Sequence, residues 1–117
     1  MKLTKSILVI SSLIVFSTSG LLANEMDMVK QGEKIFMTKG LGNCLACHDI
    51  QGKEVNGPGS MGPKLQYLSS WPKEEIYNKI YDPYTTNPIS AMPAFGKNGW
   101  LSHEEINALV AYLQTIK

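Results

Sequence analysis

The sequence predicts a small all-α protein. Three segments carry apolar residues at helical spacing, at positions 26–39, 72–81 and 102–116. No segment alternates apolar and polar residues as a half-buried strand does, and no internal repeat is present. The connection over residues 51–62 is rich in glycine, which is loop composition. We therefore expect three to five helices joined by irregular connections.

Residues 1–23 have the outline of a secretory signal peptide. Two lysines precede an apolar run from Ile7 to Phe16, and Ala23 stands where a signal peptidase can cut. The run is shorter than the ~20 residues of a membrane-spanning helix, which favours cleavage over an uncleaved anchor. We expect a periplasmic protein without stable membrane insertion, with residues 24–117 as its single domain.

The charge balance excludes a nucleic-acid partner. The 117 residues contain 11 basic and 10 acidic side chains, a net charge of +1. Loss of the leader removes two lysines and takes this charge to −1. No basic excess remains for binding phosphate backbones. All basic residues are lysines, so planar arginine clamps on phosphate or carboxylate are also excluded.

The first predicted helix spans 26–39 and contains a glycine in its middle. Val29, Ile35 and Phe36 supply apolar positions at helical spacing, and Gly40 stands where a helix would end. Gly32 should cost about 1 kcal/mol relative to alanine at this position. We therefore expect Gly32 to permit close packing against another element.

The middle predicted helix is bounded by prolines. Pro72 suits the first helical position, and Asp82-Pro83 ends the segment. Between them Ile76 and Ile80 lie on one face, which predicts that this face is buried.

The last predicted helix has the clearest start signal in the chain. Ser102 and Glu105 form an S-x-x-E capping box, and Leu101 and Ile106 match the hydrophobic staple that accompanies it. His103 lies in the first turn, and we interpret it as a solvated side chain and not as a ligand.

The chemistry of the chain is concentrated in Cys44-Leu45-Ala46-Cys47-His48. Two cysteines in an exported protein would ordinarily suggest a disulfide, but C-x-x-C followed by His is the signature of c-type haem attachment. The two thiols face the same side of a helical turn and can bond both vinyl groups of one porphyrin. His48 then lies under the iron. A zinc site usually needs four ligands, and His103 is the only further histidine in the sequence, so the ligand count disfavours zinc.

We therefore predict one covalently bound haem c, and its iron needs a ligand opposite His48. Three of the candidate methionines precede the haem motif, and Met61 follows it closely on the glycine-rich loop. Met92 is far enough along the chain to return on the opposite face, so we predict Met92 as the second axial ligand. The alternative is a core methionine beside an open or differently liganded iron. Four aromatic residues are candidate pocket walls: Tyr67, Trp71, Phe95 and Trp100.

The motifs resemble those of class I cytochromes c over nearly all of residues 24–117. The matching segments are Gly32 to Phe36, Gly62-Pro63-Lys64-Leu65 and Met92-Pro93. The resemblance implies the class I cytochrome c fold around the haem, with Gly32 and Phe36 of the first helix crossing the last helix near Leu109 and Tyr112. It also implies that the carbonyl of Pro63 accepts a hydrogen bond from the His48 imidazole.

Within that group the chain is similar to the SoxX family, the small cytochrome subunits of thiosulfate-oxidising SoxAX complexes. The residues that carry this similarity are Gly42 to His48, Met61 to Pro63, Asn87 to Gly96 and Glu105 to Leu113. The similarity implies a larger SoxA-like cytochrome as partner, which joins thiosulfate to a carrier-protein cysteine. This chain would accept the released electrons and pass them to a downstream cytochrome, without catalytic residues of its own.

Two other functions remain open from the sequence. A free electron shuttle to a terminal oxidase needs a ring of charge around the haem edge for steering. Five lysines are candidates for such a ring: Lys53, Lys64, Lys73, Lys79 and Lys97. A gas-binding protein is the third possibility, and it requires that Met92 is not bound to the iron.

Overall fold

The computed structural model describes residues 19–117 and shows an all-helical chain. The predicted leader lies almost wholly outside these residues. The helices are α1 (Ser19–Met37), α2 (Lys73–Tyr81) and α3 (His103–Leu113), with single 3-10 turns at Cys44–Ala46, Leu68–Ser70 and Pro83–Thr85. In this part of the chain the only β pairing is an isolated bridge between Ile50 and Leu65. The all-α prediction is confirmed.

Helices α1 and α3 cross at Gly32. A Cβ atom on Gly32 would lie 2.0 Å from the carbonyl oxygen of Ala108 and 2.7 Å from Cβ of Tyr112. One turn along, the rings of Phe36 and Tyr112 pack with their centroids 5.6 Å apart. The close packing expected of Gly32 is therefore confirmed, because any side chain there would separate the two helices.

Helix α1 differs from its predicted bounds at both ends. It begins at Ser19 and ends at Met37, where residues 26–39 were predicted. After Met37 the chain folds back on the last turn, and the N–H of Gly42 donates to the carbonyl of Ile35 over 3.1 Å. Gly40 therefore lies in the reversing turn that follows the helix, three residues beyond Met37.

Helix α3 begins as the sequence predicts. The hydroxyl of Ser102 accepts a hydrogen bond from the N–H of Glu105 (3.1 Å), and the Glu105 carboxylate accepts one from the N–H of Ser102 (2.7 Å). The helix ends at Leu113, earlier than predicted, although Ile116 remains buried. The carbonyl of Ile116 accepts from the N–H of Ser69 over 2.8 Å, which ties the carboxyl-terminal turn to the segment before α2.

Helix α2 has nearly its predicted bounds and packs on α3. Pro72 precedes the first helical residue, and Asp82 follows the last. Ile76 and Ile80 are buried in the common core with Leu109 of α3. None of the helices over residues 19–117 is long and apolar enough to cross a membrane.

Candidate functional site

A cavity of about 600 Å³ lies between the segment that follows α1 and the connection that follows α2. Its volume falls in the ~300–1,000 Å³ range of ligand and cofactor pockets. All five residues predicted for the haem site line it: Cys44, Cys47, His48, Pro63 and Met92. Lys79 is the only lysine or acidic residue among its described lining residues, and most of the others are apolar. A second groove, of about 770 Å³, is lined by no cysteine or histidine of the described chain.

The two cysteines lie on a single turn of 3-10 helix. Asn43 starts this turn in the left-handed region (φ 50°), which asparagine tolerates better than most residues. The N–H groups of Cys47 and His48 both donate to the carbonyl of Cys44, over 3.1 and 2.9 Å. These bonds close the turn and bring both thiols and the imidazole to the same cavity.

Both thiols are free and half-buried. Burial is the main cause that raises the pKa of the Cys44 thiol to about 12, and the neighbouring Cys47 acts in the same direction.

The orientation of His48 is fixed by the loop that follows it. Nδ1 of His48 lies 2.7 Å from the carbonyl oxygen of Pro63. Because a carbonyl can only accept, Nδ1 carries the proton and Nε2 keeps a lone pair for a metal ion. A Cβ atom on Gly62 would lie 2.4 Å from Cε1 of the imidazole, so only glycine allows the backbone to pass so close to the ring.

The same loop also packs against the cysteine turn. The N–H of Gly59 donates to the carbonyl of Leu45 over 2.9 Å, and a Cβ on Gly59 would lie 1.7 Å from the carbonyl oxygen of Ala46. The sequence indicates Gly59 only as part of a glycine-rich loop. Nothing local distinguishes it from its neighbours, because its requirement arises from a contact with a distant part of the chain.

Met92 reaches the cavity from the connection between α2 and α3. Its N–H donates to the hydroxyl of Ser90 over 3.1 Å, and that hydroxyl lies 3.2 Å from the Met92 carbonyl oxygen. This local turn directs a half-buried methionine towards the core.

The aromatic residues divide into two pairs. Trp71 and Phe95 line the cavity as expected, whereas Tyr67 and Trp100 do not. Tyr67 and Trp100 are each 61% exposed, and Trp100 packs edge-on against Phe95 with centroids 5.9 Å apart. The expectation was therefore wrong for Tyr67 and Trp100.

The residues around the cavity fit a covalently bound haem. Two thiols lie on one turn, an imidazole with a free Nε2 lies beside them, and a thioether enters the same apolar cavity. A bare-ion site fits poorly. In the described chain no three His, Cys, Asp or Glu side chains converge to hold a metal ion, whereas a zinc site usually has four ligands.

This fold and this cavity define a cytochrome c of class I. The chain belongs to the cytochrome c family described as "Cytochrome C oxidase, cbb3-type, subunit III", whose sequence model matches residues 27–113. Membership of this family implies covalently bound haem c and a role in electron transfer.

Within this class the chain is a SoxX-like cytochrome. It is 28% identical to a chain of the "Crystal structure of SoxXA from P. pantotrophus", with a TM-score of 0.65, and the match covers 74% of this chain and 79% of that one. It is also 40% identical over 75 residues to an "Uncharacterized lipoprotein" of Aquifex aeolicus (strain VF5). That match covers 62% of this chain and 35% of the relative, so the chain spans about a third of that protein's length.

Proposed function

We propose that this chain is the electron-accepting subunit of a complex that conjugates thiosulfate to a cysteine of a carrier protein. Its partner is a larger SoxA-like cytochrome that performs the conjugation, and its acceptor is a downstream cytochrome. The observation that carries the proposal is the structural similarity to SoxXA, which extends over 74% of this chain. No nucleic acid takes part.

The residue roles follow from the cavity. Cys44 and Cys47 would attach one haem, and His48 and Met92 would hold its iron. The Pro63 carbonyl holds the imidazole, as the 2.7 Å contact with Nδ1 supports. A haem bound in this way takes up and releases one electron, and imidazole–thioether ligation raises its reduction potential.

These roles leave the iron closed to substrate. The chain's residues then orient the ligands and exclude water from an apolar cavity, and none of them bonds thiosulfate. Catalysis therefore belongs to the partner, and this subunit contributes an electron acceptor next to it.

The distribution of lysines favours a bound subunit over a free shuttle. Lys64 pairs with Asp49 (3.5 Å) and Lys97 with Asp82 (3.1 Å). The ammonium group of Lys53 lies 4.4 Å from the centre of the Tyr112 ring. Of the five candidate lysines only Lys79 lines the cavity, whereas Lys73 lines the second groove. Steering by a lysine ring around the haem edge is therefore weakly supported.

We also propose export to the periplasm with removal of residues 1–23. The description of the Aquifex relative as a lipoprotein supports export. The measurement is the mass of the secreted protein, which should begin at Asn24 and carry one haem.

The deciding experiment is co-expression of the full chain with the larger c-type cytochrome of the same organism. We expect the two to co-purify, and the haem of this chain to be reduced by thiosulfate and carrier only when both subunits are present. A chain that purifies as a monomer with no such partner contradicts the proposal.

A matched pair of variants tests, in the same assay, whether the surface beside the cavity contacts the partner. Met61→Glu places a charge on a side chain that is 77% exposed there, and it should lower the yield of the complex without lowering the haem content of the chain. Met26→Glu is the matched control. Met26 lies on α1, is 62% exposed and lines the second groove, so this substitution should leave the yield unchanged.

A further inference from the structure

We infer that Tyr81 is a positioning residue for Met92, acting through Gly96. The inference rests on the proposed binding of Met92 to the haem iron. Tyr81 is the last residue of α2, and Gly96 ends the segment that carries Met92.

The backbone of Gly96 lies directly against the ring of Tyr81. A Cβ atom on Gly96 would lie 2.0 Å from Cδ2 of Tyr81 and 2.7 Å from Cγ and Cε2. Contacts under 3.0 Å are essentially never found for real Cβ atoms. The ring and the glycine therefore fit each other without space for a methyl group.

Two polar contacts lock the same junction. The N–H of Lys97 donates to the carbonyl of Tyr81 over 3.1 Å. The Lys97 ammonium pairs with Asp82 at 3.1 Å, and the side chain of Asp82 is only 12% exposed. The end of α2 thus holds the chain on both sides of the peptide bond between Gly96 and Lys97.

The Tyr81 ring is supported by two other rings. Tyr81, Tyr77 and His103 form a triangle of near-parallel rings, with centroid distances of 5.9, 5.8 and 6.1 Å and interplanar angles of 13°, 9° and 5°. Tyr77 also hydrogen-bonds His103. The first residue of α3 and one face of α2 therefore fix the ring that supports Gly96.

The segment from Pro93 to Asn98 is short and internally bonded, so a shift at Gly96 is passed on to Met92. The N–H of Asn98 donates to the carbonyl of Ala94 (2.8 Å), and the N–H of Phe95 donates to that of Pro93 (3.1 Å). Pro93 directly follows Met92, and its ring restricts the backbone there. The contact depends on the shape of the Tyr81 ring and does not require its hydroxyl.

The test uses the holoprotein and four variants. Tyr81→Leu removes the ring, Gly96→Ala introduces the clash, and Tyr81→Phe keeps the ring without the hydroxyl. Tyr84→Leu is the matched control, since it removes a neighbouring tyrosine that is 40% exposed. The readouts are the long-wavelength absorption band of ferric haem that reports a thioether–iron bond, and the affinity for cyanide, which binds only where that bond is open.

We expect Tyr81→Leu and Gly96→Ala to weaken the band and to bind cyanide about tenfold more tightly, because the open population rises tenfold. Tyr81→Phe and Tyr84→Leu should match the wild type. If the Gly96→Ala protein does not accumulate, the comparison of Tyr81→Leu with Tyr81→Phe is sufficient to test the inference.

If the wild type shows the band, and Tyr81→Leu shows the same band and the same cyanide affinity, this inference is overturned. The proposed function is then unaffected. Absence of the band from the wild type overturns both the inference and the assignment of Met92 as a ligand.

Discussion

Replacement of Gly32 by alanine should destabilise the protein, although alanine is the better helix former. The added Cβ would lie 2.0 Å from the carbonyl oxygen of Ala108, where ordinary contact begins at 3.4 Å. The helices must therefore separate by about 1.4 Å, the difference between these distances. The carbonyl belongs to the backbone of α3, so no side chain can rotate away to relieve the contact.

The expected cost follows from two opposing effects. Overpacking of a close interface costs about 1–3 kcal/mol, and this site lies at the severe end because α1 and α3 are both affected. The gain in helix propensity returns about 1 kcal/mol. We expect Gly32→Ala to lower the free energy of unfolding by about 2 kcal/mol, a large fraction of the ~5–15 kcal/mol typical of a domain.

Urea unfolding of the holoprotein, followed by helical circular dichroism, measures this change. Gly40→Ala is the matched control, since a Cβ there meets nothing within 4 Å. It should be neutral or stabilising by up to about 1 kcal/mol, because alanine restricts the unfolded chain. A Gly32→Ala protein as stable as the wild type would refute the reasoning from the helix crossing.

Further predictions concern the core, the imidazole and the cap. The Tyr112 hydroxyl is buried without a hydrogen-bond partner, so Tyr112→Phe should stabilise the protein by about 1 kcal/mol in the same assay. Burial raises the pKa of Tyr112 from 10.0 to about 12. Between these values the unfolded chain ionises while the folded one stays neutral, so the wild type should lose stability as pH rises from 10 to 12, and Tyr112→Phe should lose less. Gly62→Ala should push the imidazole of His48 off its carbonyl partner and raise the reduction potential, because a less basic imidazole stabilises the ferric state less; an unchanged potential would argue against the clash. Ser102→Ala should cost about 1 kcal/mol through loss of the cap, whereas Ser60→Ala, at an exposed loop position, should cost nothing measurable.

Features that depend on neighbouring residues could be predicted from the sequence. The capping box at Ser102 and Glu105 is complete within four residues, and the structure contains both of its hydrogen bonds. The haem motif is equally local, since one helical turn brings Cys44 and Cys47 to the same side. The end of α1 was less predictable, because it depends on how the chain folds back on Ile35.

Features that depend on distant residues could not be predicted. The sequence indicates Gly59 only as a loop residue and Gly96 only as the end of a family motif, but the structure shows the backbone of Ala46 against Gly59 and the ring of Tyr81 against Gly96. The sequence could not show which aromatic residues line the cavity, for the same reason. Trp100 packs on Phe95 outside the cavity, and this position depends on tertiary packing and not on composition.

The two proposed axial ligands are held in different ways, and the difference follows from the fold. The His48 imidazole touches its supports directly, with Gly62 against the ring and the Pro63 carbonyl on Nδ1. Met92 has no such support on its side chain among the described hydrogen bonds, because a thioether is a weak acceptor. Its position must come from the backbone, and the backbone is fixed at Gly96 by a ring of α2. A glycine against an aromatic ring therefore supports both proposed ligands, directly at the imidazole and through the following backbone at the thioether.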